Sequence, residues 1–354
     1  MRICLLSERL RRPYDEGIKN VAVSLAAALG RLTDTLILTT DGESAPDRAI
    51  RNVPANRLLL SLPLAREIRS FRPDGIVYVP TACATPASFV RARTLRQYWP
   101  TARVIMIALQ PRPYSPFAQS LIRRLVWPSH GRSRPDLVLA QSRRTLETLA
   151  SLGCRAVPLP PAVDTARFRP PAAGEKAELR RRYGLPASEQ IVTHVGHLKT
   201  KRSLEAFVAL AHVPNLHAVV VASTSTVQDE QVKQNLVAAG VTVLDQYVPA
   251  VEEIYRLSDA YAFLAQEPTA AIEMPLSVLE AMATNLPVVC TPYGGLPDTF
   301  VAGQGLHYWT GADDLTSVVG TVLASPAGTR SLVEGMTWEA AAAFVSDLLS
   351  GAQA

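Results

Sequence analysis

Residues Glu273 to Gly295 read EMPLSVLEAMATNLPVVCTPYGG. The apolar positions after Pro275 fit a helix near 276–284. Pro287–Cys290 (PVVC) reads as a short buried strand, closed by a Gly-Gly turn. A helix followed at once by an apolar strand is the repeating unit of a parallel sheet covered by helices. Working outward, the same alternation recurs. Toward the N-terminus, strands are expected at Arg2–Ser7, Thr35–Thr39, Gly75–Val79, Arg103–Leu109 and Leu137–Ala140. Ile18, Val21, Ala22, Leu25, Ala26 and Leu29 follow helical spacing, with further helices near 62–70, 86–98, 116–126 and 143–151. Leu159–Pro171 is proline-rich and reads as a linker. After it the pattern restarts. Strands are expected at Ile191–Val195, Ala218–Ala222, Val241–Leu244 and Ala260–Leu264, with helices near 203–211, 228–239, 250–257, 313–324 and 337–349.

The 354 residues are 48% hydrophobic and 19% charged, which suits two buried cores and excludes a disordered chain. No apolar run reaches about 18 residues, so no transmembrane helix is expected. The stretch MRICLLSERLRRPYDEG is not a signal peptide. Four cysteines far apart, with no Cys-x-x-Cys, argue against a disulfide framework or a zinc site and fit a reducing cytoplasm. The formal charge of +5 is split unevenly. Residues 1–165 carry 24 Lys+Arg against 12 Asp+Glu, and residues 166–354 carry 12 against 19. Between Asp74 and Asp136 there is no acidic residue but there are nine arginines. No nucleic-acid-binding motif accompanies this charge, so nucleic acid is not an expected partner.

Three segments bear chemistry. In the opening stretch Glu273 and Glu280 lie seven positions apart, two turns of helix and therefore one face. Such carboxylates can accept hydrogen bonds from sugar hydroxyls, and the N–H groups of Leu276 and Ser277 at the helix start suit a phosphate. In Val195–Arg202 (VGHLKTKR) a strand ends in Gly196, and a loop then presents His197, Lys199, Lys201 and Arg202, a cationic cluster suited to a diphosphate. Between the first strand and first helix, Asp15, Glu16 and Gly17 form a loop in which glycine lets a backbone approach a ligand. No G-x-G-x-x-G occurs in the first 35 residues, which argues against a dinucleotide-dependent dehydrogenase.

Together these segments resemble the family 4 glycosyltransferases of the GT-B fold, across nearly the whole chain. Glu273…Glu280-Ala281-Met282-Ala283, with PVV and Gly294-Gly295, is similar to the family's two-glutamate donor motif. GHLKTKR is similar to its phosphate loop, and PAVD…FRP from Pro161 to its interdomain segment. Trp338-Glu339-Ala340-Ala341 resembles the start of its last helix. The resemblance implies an α/β fold with two Rossmann-like, doubly wound domains facing across a cleft. It implies an acceptor-side domain over 1–165, a donor domain over 166–335, and a helix over 336–354 that returns to the first domain. It also implies a retaining transfer from a nucleotide sugar, with no separate cofactor and no metal.

Residue by residue, Glu280 would hold the donor ribose and Glu273 would stand near the transferred sugar. Arg202, with Lys201, would hold the diphosphate, Gly17 would face donor and acceptor, and Tyr247 and Val248 would line the nucleobase. Four departures stand out. Counted back from Glu280, the family's first glutamate falls on Ile272, one residue before Glu273. Pro275 removes an N–H from the helix start. His197 replaces an arginine, and Gln110 stands where the family often has histidine. All six histidines lie beyond residue 129, so none is available as a base on the early loops, which fits retention. Asp15, Glu16, Gln110 and Arg112 are the acceptor-side candidates.

The basic half implies a small-molecule or lipid-linked, anionic acceptor. Phe117, Leu121, Leu125 and Trp127 near Arg123 and Arg124 are read first as core, and otherwise as a peripheral contact with anionic lipid at the inner membrane face. A GT-B nucleotide-sugar 2-epimerase and a degenerate sugar-nucleotide-binding subunit are the alternative functions.

Overall fold

The computed structural model describes residues 1–81, 84–110, 112–126 and 134–351. The chain divides into two compact units. Unit 1 comprises Met1–Pro161, Ile272–Met274 and Trp338–Ala354. Unit 2 comprises Ala162–Ala271 and Pro275–Thr337. The expected doubly wound α/β architecture is present in both.

Unit 1 runs β1 (Arg2–Ser7), α1 (Gly17–Leu32), β2 (Asp34–Thr39), β3 (Ile50–Asn52), α2 (Leu62–Phe71), β4 (Gly75–Val79), α3 (Pro86–Tyr98), β5 (Arg103–Ala108), α4 (Pro116–Val126), β6 (Leu137–Ala140), α5 (Arg143–Ser151) and β7 (Ala156–Pro158). Its seven strands are parallel, in the order β3-β2-β1-β4-β5-β6-β7. Strands β4 and β6 are buried at every position, as a sheet with helices on both faces requires. Helix starts carry their own signals. Ser61, Thr85 and Ser142 accept the N–H three residues on, in α2, α3 and α5.

Unit 2 runs α6 (Glu175–Arg182), β8 (Gln190–Gly196), α7 (Ala206–Leu210), β9 (Leu216–Ala222), α8 (Glu230–Ala238), β10 (Thr242–Leu244), α9 (Val251–Leu257), β11 (Ala260–Phe263), α10 (Leu276–Ala283), β12 (Val288–Cys290), α11 (Leu296–Thr299), β13 (Leu306–Tyr308), α12 (Leu315–Ala324) and α13 (Arg330–Val333). The sheet order is β10-β9-β8-β11-β12-β13, again parallel throughout. In both sheets the order reverses beside the first strand, between β1 and β4 and between β8 and β11. That is the point where open α/β sheets bind ligands.

Helix α14 (Trp338–Ser350) packs on α1 within unit 1, with Arg31 paired to Glu339. Leu349 fills the space over Gly75, where a Cβ would come within 2.6–3.0 Å of three leucine carbons. Strands β3, β7 and β13 were not anticipated. Each has three residues, and unlike the equally short β10 and β12 its run (IRN, AVP, LHY) is broken by a charged residue, a proline or a histidine. Among the described residues no helix is long and apolar enough to cross a membrane.

Candidate active site

In unit 2 the candidate residues gather at the carboxyl ends of β8 and β11. Strand β8 ends in Gly196, and a 3-10 turn over Thr200–Arg202 follows. That turn carries Arg202 back against the sheet. Arg202 is 6% exposed, its guanidinium lies 5.5 Å from the Phe263 ring, and its Nε has no hydrogen-bond partner among the described residues. Burial pushes its pKa down. An arginine that stays charged while desolvated needs an anion.

Gly196 is required by this approach. A Cβ there would lie 2.9 Å from His194 Nε2 and 3.1 Å from Arg202 Nη1. His194 was not anticipated, because a histidine inside an apolar strand reads as core. It is fully buried, and its Nδ1 donates to the Ala262 carbonyl at 2.9 Å. Burial first, and Arg202 second, push its pKa down to about 3, so the ring is neutral. Its Nε2 has no partner among the described residues. His197 Nδ1 lies 2.9 Å from Thr226 Oγ1, and Lys199 is half-buried near Asp229. Lys201 lies in the turn, and its side chain is outside the described residues.

Helix α10 begins beside β11. Pro275 is its N-cap and no side chain caps it, which leaves the first N–H groups, those of Leu276 and Ser277, for another acceptor. The Ser277 side chain hydrogen-bonds Tyr261, which lies within electrostatic reach of Arg202. Tyr255 and Tyr261 pack with ring centroids 5.7 Å apart. Tyr255 donates its hydroxyl to Glu280 Oε2 at 2.8 Å. The phosphate loop, the helix start and Glu280 thus form one connected patch through two tyrosines that sequence reading did not single out. Glu280 is 8% exposed, and burial raises its pKa to about 7 against the lowering effects of Tyr255 and Arg167. Val248 is half-buried against the core under α6 and α9, while Tyr247 is exposed.

Glu273 belongs to unit 1, where its N–H donates to the Leu109 carbonyl at 2.7 Å. The expectation put its carboxylate beside the transferred sugar. In the structure Oε1 accepts from Ser142 Oγ at 2.8 Å and from Thr145 Oγ1, and Oε2 accepts from the Gln141 N–H at 3.0 Å. These donors surround the start of α5, where the helix dipole also favours an anion. Burial raises the Glu273 pKa, and these hydrogen bonds oppose it. Neighbouring Ile272 takes the opposite side. Three of its side-chain carbons lie 3.1–3.2 Å from where a Cβ on Gly17 would be. The one-residue offset seen in the sequence therefore turns the carboxylate into unit 1 and leaves a hydrocarbon against Gly17.

The acceptor-side candidates lie at the carboxyl edge of unit 1. Glu16 caps α1, accepting from Ile18 and Lys19 N–H, and burial raises its pKa. Asp15 and Gln110 are half-buried and Arg112 is exposed. On α4, Ile122 and Val126 face the core, Leu121 and Leu125 are half-buried, and Phe117 is 79% exposed beside exposed Arg123 and Arg124. Trp127 lies outside the described residues. Sequence reading missed Glu8, which follows β1. Its buried carboxylate accepts from Tyr78 Oη, from Thr81 Oγ1 at 3.0 Å and from Arg91 Nη1 at 2.8 Å.

With this geometry in hand, known proteins offer a comparison. Residues 175–336 match the model of the family described as Glycosyl transferases group 1. The chain is 27% identical over 261 residues to a GDP-mannose-dependent alpha-(1-6)-phosphatidylinositol monomannoside mannosyltransferase of Mycolicibacterium smegmatis, covering 67% of this chain and 66% of that protein. It is 30% identical over 206 residues to a D-inositol 3-phosphate glycosyltransferase of Segniliparus rotundus, covering 52% and 44%. The matched stretch thus spans about half to two thirds of the length of these relatives. In structure, the chain is similar to Anabaena HepE in complex with UDP, with a TM-score of 0.78 at 15% identity over 99% of this chain and 100% of that one. That likeness shows the shared fold.

Proposed function

We propose that the chain is a glycosyltransferase, in keeping with the match of residues 175–336 to the model of the family described as Glycosyl transferases group 1. It moves a sugar from a UDP- or GDP-type nucleotide sugar to an acceptor hydroxyl, with retention and without a metal ion. The observation that carries this reading is Arg202, a desolvated guanidinium with an unpartnered Nε at the sheet's switch point. A donor diphosphate supplies the anion that Arg202 lacks. In this reading Gly196, His197 and Lys199 surround the phosphates, and the Leu276 and Ser277 N–H groups at the start of α10 add donors. Glu280 accepts hydrogen bonds from the ribose, and Tyr247 and Val248 flank the base.

Charge stabilisation of the leaving diphosphate is then the main catalytic work of the protein. Glu16 already caps α1, which supports retention, where the leaving phosphate takes the acceptor proton, over an enzymic base. Gln110 and Arg112 serve the acceptor. A lipid-linked, anionic acceptor draws support from the phosphatidylinositol mannoside named in one relative. A peripheral cytoplasmic position, with Phe117, Arg123 and Arg124 against anionic lipid, belongs to the same reading. A liposome pull-down that finds no binding at low salt removes that part alone.

The test is thermal stability with UDP, GDP and their sugars, since a ligand of the folded state raises the transition. One nucleotide series should stabilise the wild-type chain and leave Arg202→Ala unmoved. Equal stabilisation of both proteins overturns the assignment. A second reading, a subunit that binds nucleotide sugar without turnover, is favoured by Ile272 and by the engaged Glu273. Hydrolysis of the donor without acceptor would rule it out.

A further inference from the structure

The acid-free stretch from Gly75 to Pro135 was expected to serve the acceptor, yet two of its arginines, Arg103 and Arg134, lie with Arg155 at the other edge of the first sheet. Arg103 opens β5, Arg134 precedes β6, and Arg155 precedes β7. In a parallel sheet these amino ends share one edge, opposite to Glu8, Gln110 and Gln141. There the three arginines line a cavity of about 220 Å³, together with Asp136, Cys154 and Phe89.

The charge at this cavity is unbalanced. The Asp136 carboxylate is taken by Arg96 and by the Val104 N–H at 2.6 Å. Asp74, the other carboxylate near β5, accepts the Arg2 N–H at 2.8 Å. Arg103 donates to the Leu348 carbonyl at 2.7 Å and Arg134 to the Val126 carbonyl at 2.9 Å, and neither carbonyl neutralises a cation. The Arg155 side chain is exposed and makes no hydrogen bond or ion pair among the described residues. Arg96 is 7% exposed, with its Nε lacking a partner among the described residues. The sequence from 127 to 133 (WPSHGRS) adds no carboxylate. Among the described residues, Arg96 and the three lining arginines therefore have one carboxylate at this cavity, that of Asp136.

We propose that this cavity is a second anion site, separate from the donor site, that takes a small phosphorylated metabolite. Guanidinium forks match phosphate oxygens, and several converging on one space favour a group bearing two or more negative charges. The volume lies below the roughly 300–1,000 Å³ of pockets for drug-sized ligands, so the ligand is small.

The experiment is titration calorimetry of the full chain with inorganic diphosphate as probe. Three proteins are compared: wild type, Arg134→Gln/Arg155→Gln, and Arg202→Ala. The double variant should bind diphosphate at this site at least tenfold more weakly while keeping its affinity for UDP or GDP. Arg202→Ala should keep the site. The exposed single variant Arg155→Glu provides the same reading should the double variant not fold. Equal diphosphate affinity in wild type and in the cavity variants overturns the proposal. So does an absence of diphosphate binding in Arg202→Ala. A failure of the glycosyltransferase reading shows itself separately, as nucleotide sugars that do not bind in unit 2.

Discussion

The two sheets share one strand order, yet their switch points are electrostatic opposites. At β8/β11 a buried arginine and a buried neutral histidine each keep a nitrogen without a partner among the described residues. At β1/β4 the buried group is a carboxylate, Glu8, and Tyr78, Thr81 and Arg91 satisfy it completely. Topology supplies the location of a site in both units, and the side chains at the strand ends decide whether it is open to a ligand. An unpaired buried charge is costly and is kept where a ligand completes it. A fully paired one stiffens the fold.

The strongest way to break this contrast is Arg202→Ala. Two or more charge-assisted bonds at about 1.5–3 kcal/mol each imply a loss of at least about 100-fold in nucleotide affinity, measured by calorimetry. Unchanged affinity would mean that the open cation of unit 2 has no ligand. Glu8→Gln tests the other side. It should lower unfolding stability by about 1–3 kcal/mol, read from denaturant midpoints, and leave nucleotide affinity alone. A fall in affinity would make the β1/β4 cluster a functional site after all.

Gly196→Ala sharpens the contrast, because the new methyl meets His194 and Arg202 at 2.9 and 3.1 Å. Nucleotide affinity should drop by roughly tenfold, or about 1.4 kcal/mol, in line with the cost of overpacking. The smallest effect concerns Glu280. Its carboxyl, raised to about 7 by burial, should bind hydroxyls best when ionised, so affinity rises a few-fold from pH 6 to pH 8. Stability moves the other way. The folded carboxyl holds its proton longer than the unfolded one at 4.5, so this group's contribution is lost as pH rises from 4.5 to about 7. Glu280→Gln should flatten both slopes, and slopes that persist would assign the titration to another group.

Much of the fold was legible. Long apolar strands such as RICLLS and helices with regular spacing announce themselves, because a parallel sheet buries both faces. The short edge strands β3, β7 and β13 break their apolar runs with a charged residue, a proline or a histidine, whereas the equally short β10 and β12 do not. At the candidate site, Gly196 and Arg202 were readable as a glycine at a strand end followed by a cationic loop, and Glu280 as a carboxylate within an apolar helix. His194, Tyr255 and Tyr261 were not, since a buried polar side chain inside an apolar run looks like core until its neighbours are known. Glu8 was lost for a related reason, as an isolated acid beside arginines suggests solvation.

Sequence by itself determined the class of fold, the proline-rich character of Leu159–Pro171 and the cationic loop, because these follow from periodicity, proline and local charge. It also registered the one-residue offset at Glu273. Only tertiary structure decided what the offset means. At this bend the adjacent side chains of Ile272 and Glu273 point to opposite sides. Moving the acid by one position therefore hands Glu273 to the start of α5 and leaves Ile272 against Gly17. The arginines from residues 75 to 135 teach the same lesson. Their number is written in the chain, but which edge of the sheet they reach depends on where each strand begins and ends.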